Sequence, residues 1–242
     1  MKKGIILQAR TSSTRLPGKV LRRLPNNLTV LETIVERLKK SKKIDEITVA
    51  TSKNIKDDII ENLCLEKKYD LFRGDENDVL GRFYNTAKSK GLNYVIRCNA
   101  DCPLIDYKIL DKVLETFLAE DCDYCSNILL PSYPVGMHTE VFSFEALEKA
   151  FQNASSELER EHVTPYIYRN PEIFKLKNVK YKKNLSNIRL TLDYEEDFIV
   201  ISKIFKHFKS YDYFSLDDIL NFLENNPDVI KINSHFKKEG TV

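Results

Sequence analysis

Three cations fall close together in Gln8-Ala-Arg-Thr-Ser-Ser-Thr-Arg-Leu-Pro-Gly-Lys19, where Arg10, Arg15 and Lys19 are interleaved with hydroxyl residues and one glycine. The segment follows Gly4-Ile-Ile-Leu7, a short apolar run with the length and composition of a buried strand. A loop of this kind is suited to holding phosphates: the cations neutralise charge, and the backbone N–H groups of a turn form an anion-binding concavity. It is not a Walker A loop. Val20 follows Gly18-Lys19, Ser13 stands where the first glycine of that motif would be, and G-x-G-x-x-G is absent. A solvated basic loop is the plain alternative.

Carboxylates supply the complementary chemistry. Asp101, in Ile96-Arg-Cys-Asn-Ala-Asp-Cys-Pro103, closes an apolar run, and Asp193 closes Ile188-Arg-Leu-Thr-Leu192 ahead of an amphipathic stretch. Magnesium that also holds substrate phosphates takes only one or two protein carboxylates, so this distant pair would suffice. Each Asp read alone is equally a helix N-cap. His138 and Glu140 after Gly136, and Glu161-His162, are candidates for contact with a second substrate or for proton transfer. Their alternatives are an exposed loop and structural hydrogen bonding. Cys122-Asp-Tyr-Cys125 has C-x-x-C spacing but no second pair, which is weak support for zinc or redox chemistry. No nucleophile elbow is present.

The elements that must position these groups alternate through the first half. Apolar runs at Ile5–Ala9, Ile47–Thr51, Leu71–Phe72 and Tyr94–Cys98 are separated by helical patterns at Val30–Leu38, Ile55–Leu65 and Val79–Ala87, and Ile109–Leu118 follows. Single helices between strands predict right-handed crossovers and a mostly parallel sheet flanked by helices, an α/β fold. Such sheets bind ligands beyond the carboxyl ends of their strands. Every polar cluster obeys that rule: Gln8 to Arg15, Thr51-Ser-Lys53, Arg73-Gly-Asp75 and Asn99-Ala-Asp101 each follow a strand, so four strand ends would converge on one crevice. The second half predicts a single domain carrying an inserted lobe at about 131–183. Helices are expected over Glu145–Phe151, Glu159–Tyr168, Asp197–Phe208 and Leu216–Leu223, and strands over Phe174–Val179 and Ile188–Leu192.

Bulk properties exclude several classes. With 38 basic and 36 acidic residues in 242, the net charge of +2 offers no global field for nucleic acid. No apolar run reaches the length of a membrane span, and Met1-Lys2-Lys3 leads straight into a strand without a signal-peptide core, so the expectation is a cytoplasmic protein with no membrane partner. Five cysteines, an odd count, point to reduced thiols.

The ordered set Gln8 to Lys19, Val49-Ala-Thr51, Phe72-Arg-Gly74 with Asp78-Val-Leu80, Asp101-Cys-Pro-Leu104, Glu140-Val-Phe-Ser-Phe144 and Arg160-Glu-His-Val-Thr-Pro-Tyr166 resembles the cytidylyltransferases. The similarity is to the spore-coat-polysaccharide type, related to the synthetases of CMP-KDO and CMP-acylneuraminate, and it runs from Gly4 to about Phe198. It implies a nucleotide-diphospho-sugar transferase fold of the glycosyltransferase-A kind, CTP as donor, Mg²⁺, release of pyrophosphate and a homodimer. By position, Arg10, Arg15 and Lys19 would hold the triphosphate, with Arg10, Lys19 and Asp101 acting in catalysis. Gln8, Ala9, Thr51, Arg73 and Asn99 would border the nucleoside, Asp101 and Asp193 would serve the metal, and His138, Glu140 and His162 would meet the acceptor. Ala100 and His138 depart from the family pattern, where Gly and Asp are usual, so the acceptor is not carried over. The expected reaction is in-line attack of a sugar-acid hydroxyl or a phosphate monoester on the α-phosphorus of CTP. A glycosyltransferase using a nucleotide-sugar donor, or a nucleotide-binding module without turnover, are the competing readings; the first would need an Asp-x-Asp motif, which Asp101-Cys-Pro103 is not.

Overall fold

Alternating runs become alternating elements in the computed structural model, which describes residues 1–236. The first half contains β1 (Lys3–Gln8), α1 (Val30–Leu38), β2 (Glu46–Ser52), α2 (Asp58–Lys67), β3 (Asp70–Gly74), α3 (Val79–Lys90), β4 (Tyr94–Asn99) and α4 (Tyr107–Ala119). The second half adds β5 (Tyr124–Ser126), β6 (Glu140–Ser143), α5 (Phe144–Asn153), α6 (Glu157–His162), α7 (Pro165–Tyr168), β7 (Leu176–Asn178), α8 (Glu195–His207), α9 (Leu216–Asn225) and α10 (Pro227–Lys231). Local chemistry sets the helix starts. Thr29 and Glu32 form a capping box at the head of α1, Asp78 accepts from Gly81 N at α3, and Ser143 accepts from Ala146 N at α5.

Seven strands form one sheet in the order β3-β2-β1-β4-β6-β5-β7. The pairs β1–β2, β1–β4 and β2–β3 are parallel, while β6 runs antiparallel to both of its neighbours. Alternation along β1 divides the core. Ile5 and Leu7 pack with residues of α1, α4 and α8, while Ile6 packs on the other face with α3 and α5. Strand order reverses between β1 and β4, whose last residues Gln8 and Asn99 are register partners. That reversal opens a crevice at their carboxyl ends.

The segment 131–183 supplies β6 and β7 to this common sheet, and its helices α5 and α6 pack against α3. Two expectations are revised here. Ile188–Leu192 is not a ladder strand: only an isolated bridge from Val135 to Arg189 forms, because Leu192 N is instead given to Asp101 O at 2.8 Å. Glu159–Tyr168 is two short helices rather than one. They are broken at Val163 (φ 73°, ψ −55°), where Thr164 N donates to His162 O at 2.9 Å in a γ-turn of the rarer, positive-φ hand, and Pro165 starts the next helix.

Gly136 lets the bridge form. Its φ is 100°, and a Cβ there would lie 2.6 Å from the carbonyl carbon and oxygen of Leu190. Gly136→Ala is therefore expected to cost about 2 kcal/mol or more, from a disallowed φ and a backbone clash together. Thermal unfolding should show a Tm lowered by roughly 5 °C; an unchanged Tm would mean the two segments are not held this closely.

Candidate active site

The Lys19 ammonium is the centre of the crevice. A short 3₁₀ turn over Lys19–Leu21 carries it, entered through Gly18 in the left-handed region at φ 67°. The preceding loop is anchored at both sides: Thr11 N and Oγ1 donate to Asp57 Oδ1 at 2.8 and 2.7 Å, and Ser12 Oγ donates to Glu76 Oε1 at 3.0 Å. Lys19 Nζ lies 3.1 Å from Asp101 Oδ2 and 2.8 Å from Asp193 Oδ1. Burial works against its charge, but the two carboxylates win and its pKa is raised.

Asp193 is held from every side. Its Oδ1 also meets Arg15 at 3.0 Å, and its Oδ2 accepts from Arg189 at 2.9 Å. Arg189 in turn is fixed by Asp197, which also accepts from the backbone N–H groups of Asp193 and Tyr194 and from Asn233. Burial would raise the Asp193 pKa, yet Lys19 and Arg15 outweigh it and bring the carboxyl down to about 2. Asp101 is tied to the segment just before Asp193, since its carbonyl accepts from Leu192 N and Thr191 Oγ1. The two carboxylates thus face one another across one cation, an arrangement that could equally hold a divalent metal with waters and phosphate oxygens completing its shell. Among the described residues no group of three or more His, Cys, Asp or Glu gathers as a closed metal cage.

The remaining residues singled out in the sequence are distributed around this centre. Arg10 meets Glu161 at 3.6 Å, beside the exposed His162 at the end of α6. Arg10, Arg15 and Lys19 are thus each engaged by a carboxylate. Gln8 and Asn99 sit side by side at the switch point, each with a buried side-chain carbonyl oxygen that has no partner among the described residues. Ala9 is buried and donates its N–H to Ala50 O. Thr51 is fully buried in β2, its hydroxyl also without a partner among the described residues.

Arg73, in β3, is likewise engaged by carboxylates. It pairs with Asp58 at 2.7 Å and with Glu61, and donates to the carbonyls of Ser52 and Asn54. Glu140 is buried in an ion pair with Arg97 and accepts from Tyr124 Oη and Thr164 Oγ1 at 2.7 and 2.6 Å. His138 is half-buried. Burial pushes its pKa down, and the charges around it are Glu140, Asp101 and Arg97. Cys122 and Cys125 are free thiols, as are the other three cysteines.

Sequence reasoning passed over Arg189, Asp197, Asp57 and Arg82. The spacing Arg189-x-x-x-Asp193-x-x-x-Asp197 was the available signal for the first two.

Comparison with known proteins decides the family. Residues 4–230 match the family described as cytidylyltransferase. The chain belongs to that family. It is similar to an uncharacterized protein of Methanocaldococcus jannaschii, with 44% identity over 97% of this chain and 96% of that protein. It is also similar to the spore coat polysaccharide biosynthesis protein SpsF of Bacillus subtilis, with 32% identity covering 92% and 94% of the two chains. A solved cytidylyltransferase from Leptospira borgpetersenii superposes with a TM-score of 0.91 at 33% identity, covering 99% of this chain and all of that one. The enzyme is therefore a nucleotidyltransferase, and it shares its fold with that solved cytidylyltransferase. No helix among the described residues is long and apolar enough to cross a membrane.

The cluster has a measurable acid signature. Asp193 has a folded pKa of about 2 against an ordinary value of 3.8, so its contribution is full above pH ~4 and disappears as pH falls towards 2. At about 1.4 kcal/mol per pKa unit, roughly 2 kcal/mol should be lost across that window. Urea unfolding at pH 5, 4, 3 and 2 should show Asp193→Asn less stable than wild type at pH 5, with the difference closing by pH 2. Parallel curves would contradict the pairing.

Proposed function

We propose that this protein is a CTP- and Mg²⁺-dependent cytidylyltransferase of surface glycan biosynthesis, transferring CMP to a small acidic acceptor and releasing pyrophosphate. The observation that carries the reading is that Arg10, Arg15 and Lys19 surround the switch-point crevice and are each paired with a carboxylate. Cations paired in this way can change partners without leaving their loop. When the triphosphate enters, Lys19 and Arg15 move from Asp101 and Asp193 onto phosphate oxygens, and Arg10 moves from Glu161. The two freed carboxylates would hold Mg²⁺, which when bound supplies charge neutralisation at the phosphates. The family relationship supports a cytidine nucleotide as donor, and the SpsF likeness supports polysaccharide biosynthesis as the setting.

The chain's own residues then act mainly by position. Lys19 and Arg15, held on a loop anchored by Asp57 and Glu76, fix the β- and γ-phosphates so that pyrophosphate departs in line with the attacking oxygen. The acceptor approaches from the side of β6, where His138 lies near Asp101. Burial keeps that imidazole unprotonated at neutral pH, the form able to take a proton from an acceptor hydroxyl. A phosphate monoester would need no such help, and the product would be CDP-linked instead of CMP-linked.

Pyrophosphate release from CTP and Mg²⁺, scanned over sugar acids and phosphate monoesters, tests this reading. Activity with at least one acceptor is expected, and none across the panel would overturn it. Lys19→Met and Asp101→Asn should each lower the rate on the order of 10²–10³-fold, the size of losing one preorganised charge contact in a phosphoryl-transfer site. Both should retain the wild-type far-UV circular dichroism; a tenfold or smaller loss in either would displace these residues from their proposed roles.

A further inference from the structure

Three arginines are buried among the described residues, and they differ in one respect. Arg37 donates to the carbonyls of Leu104, Ile105 and Phe214, and Arg189 donates to Asp193 and Asp197. Arg82, 1% exposed, has Nε, Nη1 and Nη2 all buried and all without a hydrogen-bond partner among the described residues. A guanidinium is permanently charged and donor-only, so leaving it dry and unpaired is heavily unfavourable. Buried polar groups left unsatisfied call for an explanation, and an absent ligand group is one.

Its place in the fold narrows what that ligand group is. Arg82 is the fourth residue of α3, and its stem runs against Gly74 at the carboxyl end of β3, where even a Cβ would come within 3.1 Å of Arg82 Cγ. The charges nearest to it are Arg10, Asp57, Asp75 and Glu76. Each of those acids is occupied: Asp57 by Thr11 and Ser52, Asp75 by the N–H groups of Asn77 and Asp78, and Glu76 by Ser12 and Asn54. Arg82 therefore lies below the ends of β1, β2 and β3. The cluster of Lys19, Asp101 and Asp193 lies towards β4. A nucleotide with its phosphates over Lys19 can extend its base towards Arg82, away from the acceptor side at β6.

We propose that Arg82 is the residue that reads the pyrimidine, its guanidinium donating to the O2 and N3 acceptors of cytosine. The inference rests on the cytidylyltransferase reading and adds to it a determinant of base choice. Uracil carries a hydrogen on N3, so one guanidinium N–H would face another donor there. UTP would then leave part of the buried charge unsatisfied, and sites built on buried polar groups reject the wrong partner strongly. Departure of Arg10 to the triphosphate would also remove the nearest like charge, coupling phosphate binding to base reading.

The test combines stability with binding for wild type, Arg82→Met and Arg82→Lys. Calorimetric titrations would use CTP, UTP and inorganic pyrophosphate in the presence of Mg²⁺. Removing an uncompensated buried charge should raise the Tm of Arg82→Met, whereas a merely structural arginine would lower it. CTP affinity should fall by roughly 10²-fold, the CTP-to-UTP preference should collapse towards unity, and pyrophosphate affinity should stay within about twofold. If Arg82→Met does not fold, the same loss of preference is expected in Arg82→Lys, which keeps the charge but loses the planar fork. A variant that keeps the wild-type preference for CTP over UTP overturns the role of Arg82 and leaves the enzyme reading intact. A wild-type protein that binds neither CTP nor pyrophosphate overturns both.

Discussion

One ammonium group joins three parts of the chain that are far apart in sequence. Lys19 comes from the loop after β1, Asp101 from just after β4, and Asp193 from the segment that leads into α8. The loop is fixed by Asp57 and Glu76, the segment 188–192 by its bridge beside Gly136 and by the Asp101 carbonyl, and Asp193 itself by Arg189 and Asp197. Buried ion pairs of this kind are poor sources of net stability, because desolvation offsets much of the attraction. Their value here is positional. They hold Asp101, Asp193, Lys19 and Arg15 together at one switch point, where the proposed mechanism has them exchange partners with a triphosphate and a metal.

Polar groups left over around this centre follow the same logic. Among the described residues, Gln8 and Asn99 present side-chain oxygens without a partner at the switch point, and the buried Arg82 guanidinium has no hydrogen-bond partner under the neighbouring strand ends. A chain selected for stability alone would pair these groups or replace them with apolar ones. By contrast, Glu140 is saturated by Arg97, Tyr124 and Thr164, and Arg73 by Asp58 and Glu61. The saturated groups hold β6, α7 and α2 around the crevice; Gln8, Asn99 and Arg82 are the groups to which the proposed nucleotide would offer partners.

Much of this was legible in the residues themselves. Period-two and helical spacing placed β1 to β4 and the helices between them, since each element buries one regular face, and the polar residues after each strand located the crevice. What sequence could not show was the fate of charges inside helices and turns. Arg82 in Leu80-Gly-Arg-Phe83 looks like any solvent-facing helical arginine, and only packing against Gly74 reveals its burial. The capture of Arg73 by Asp58 and Glu61 depends on the relative placement of β3 and α2. Ile188–Leu192 has the composition of a strand, but its hydrogen bonds are spent on Asp101 and Val135. Glu159–Tyr168 carried a clear warning in Pro165, which disfavours helix in the residue before it.

The central claim is that Lys19 and Arg15 occupy the carboxylates until a triphosphate draws them away. Titration of Mn²⁺ into the wild-type protein, followed by electron paramagnetic resonance with and without saturating CTP, tests it most directly. Negligible Mn²⁺ binding to the free protein is expected, with a site that forms only when CTP is present beyond what CTP alone binds. Equal Mn²⁺ affinity in the presence and absence of nucleotide would contradict the exchange.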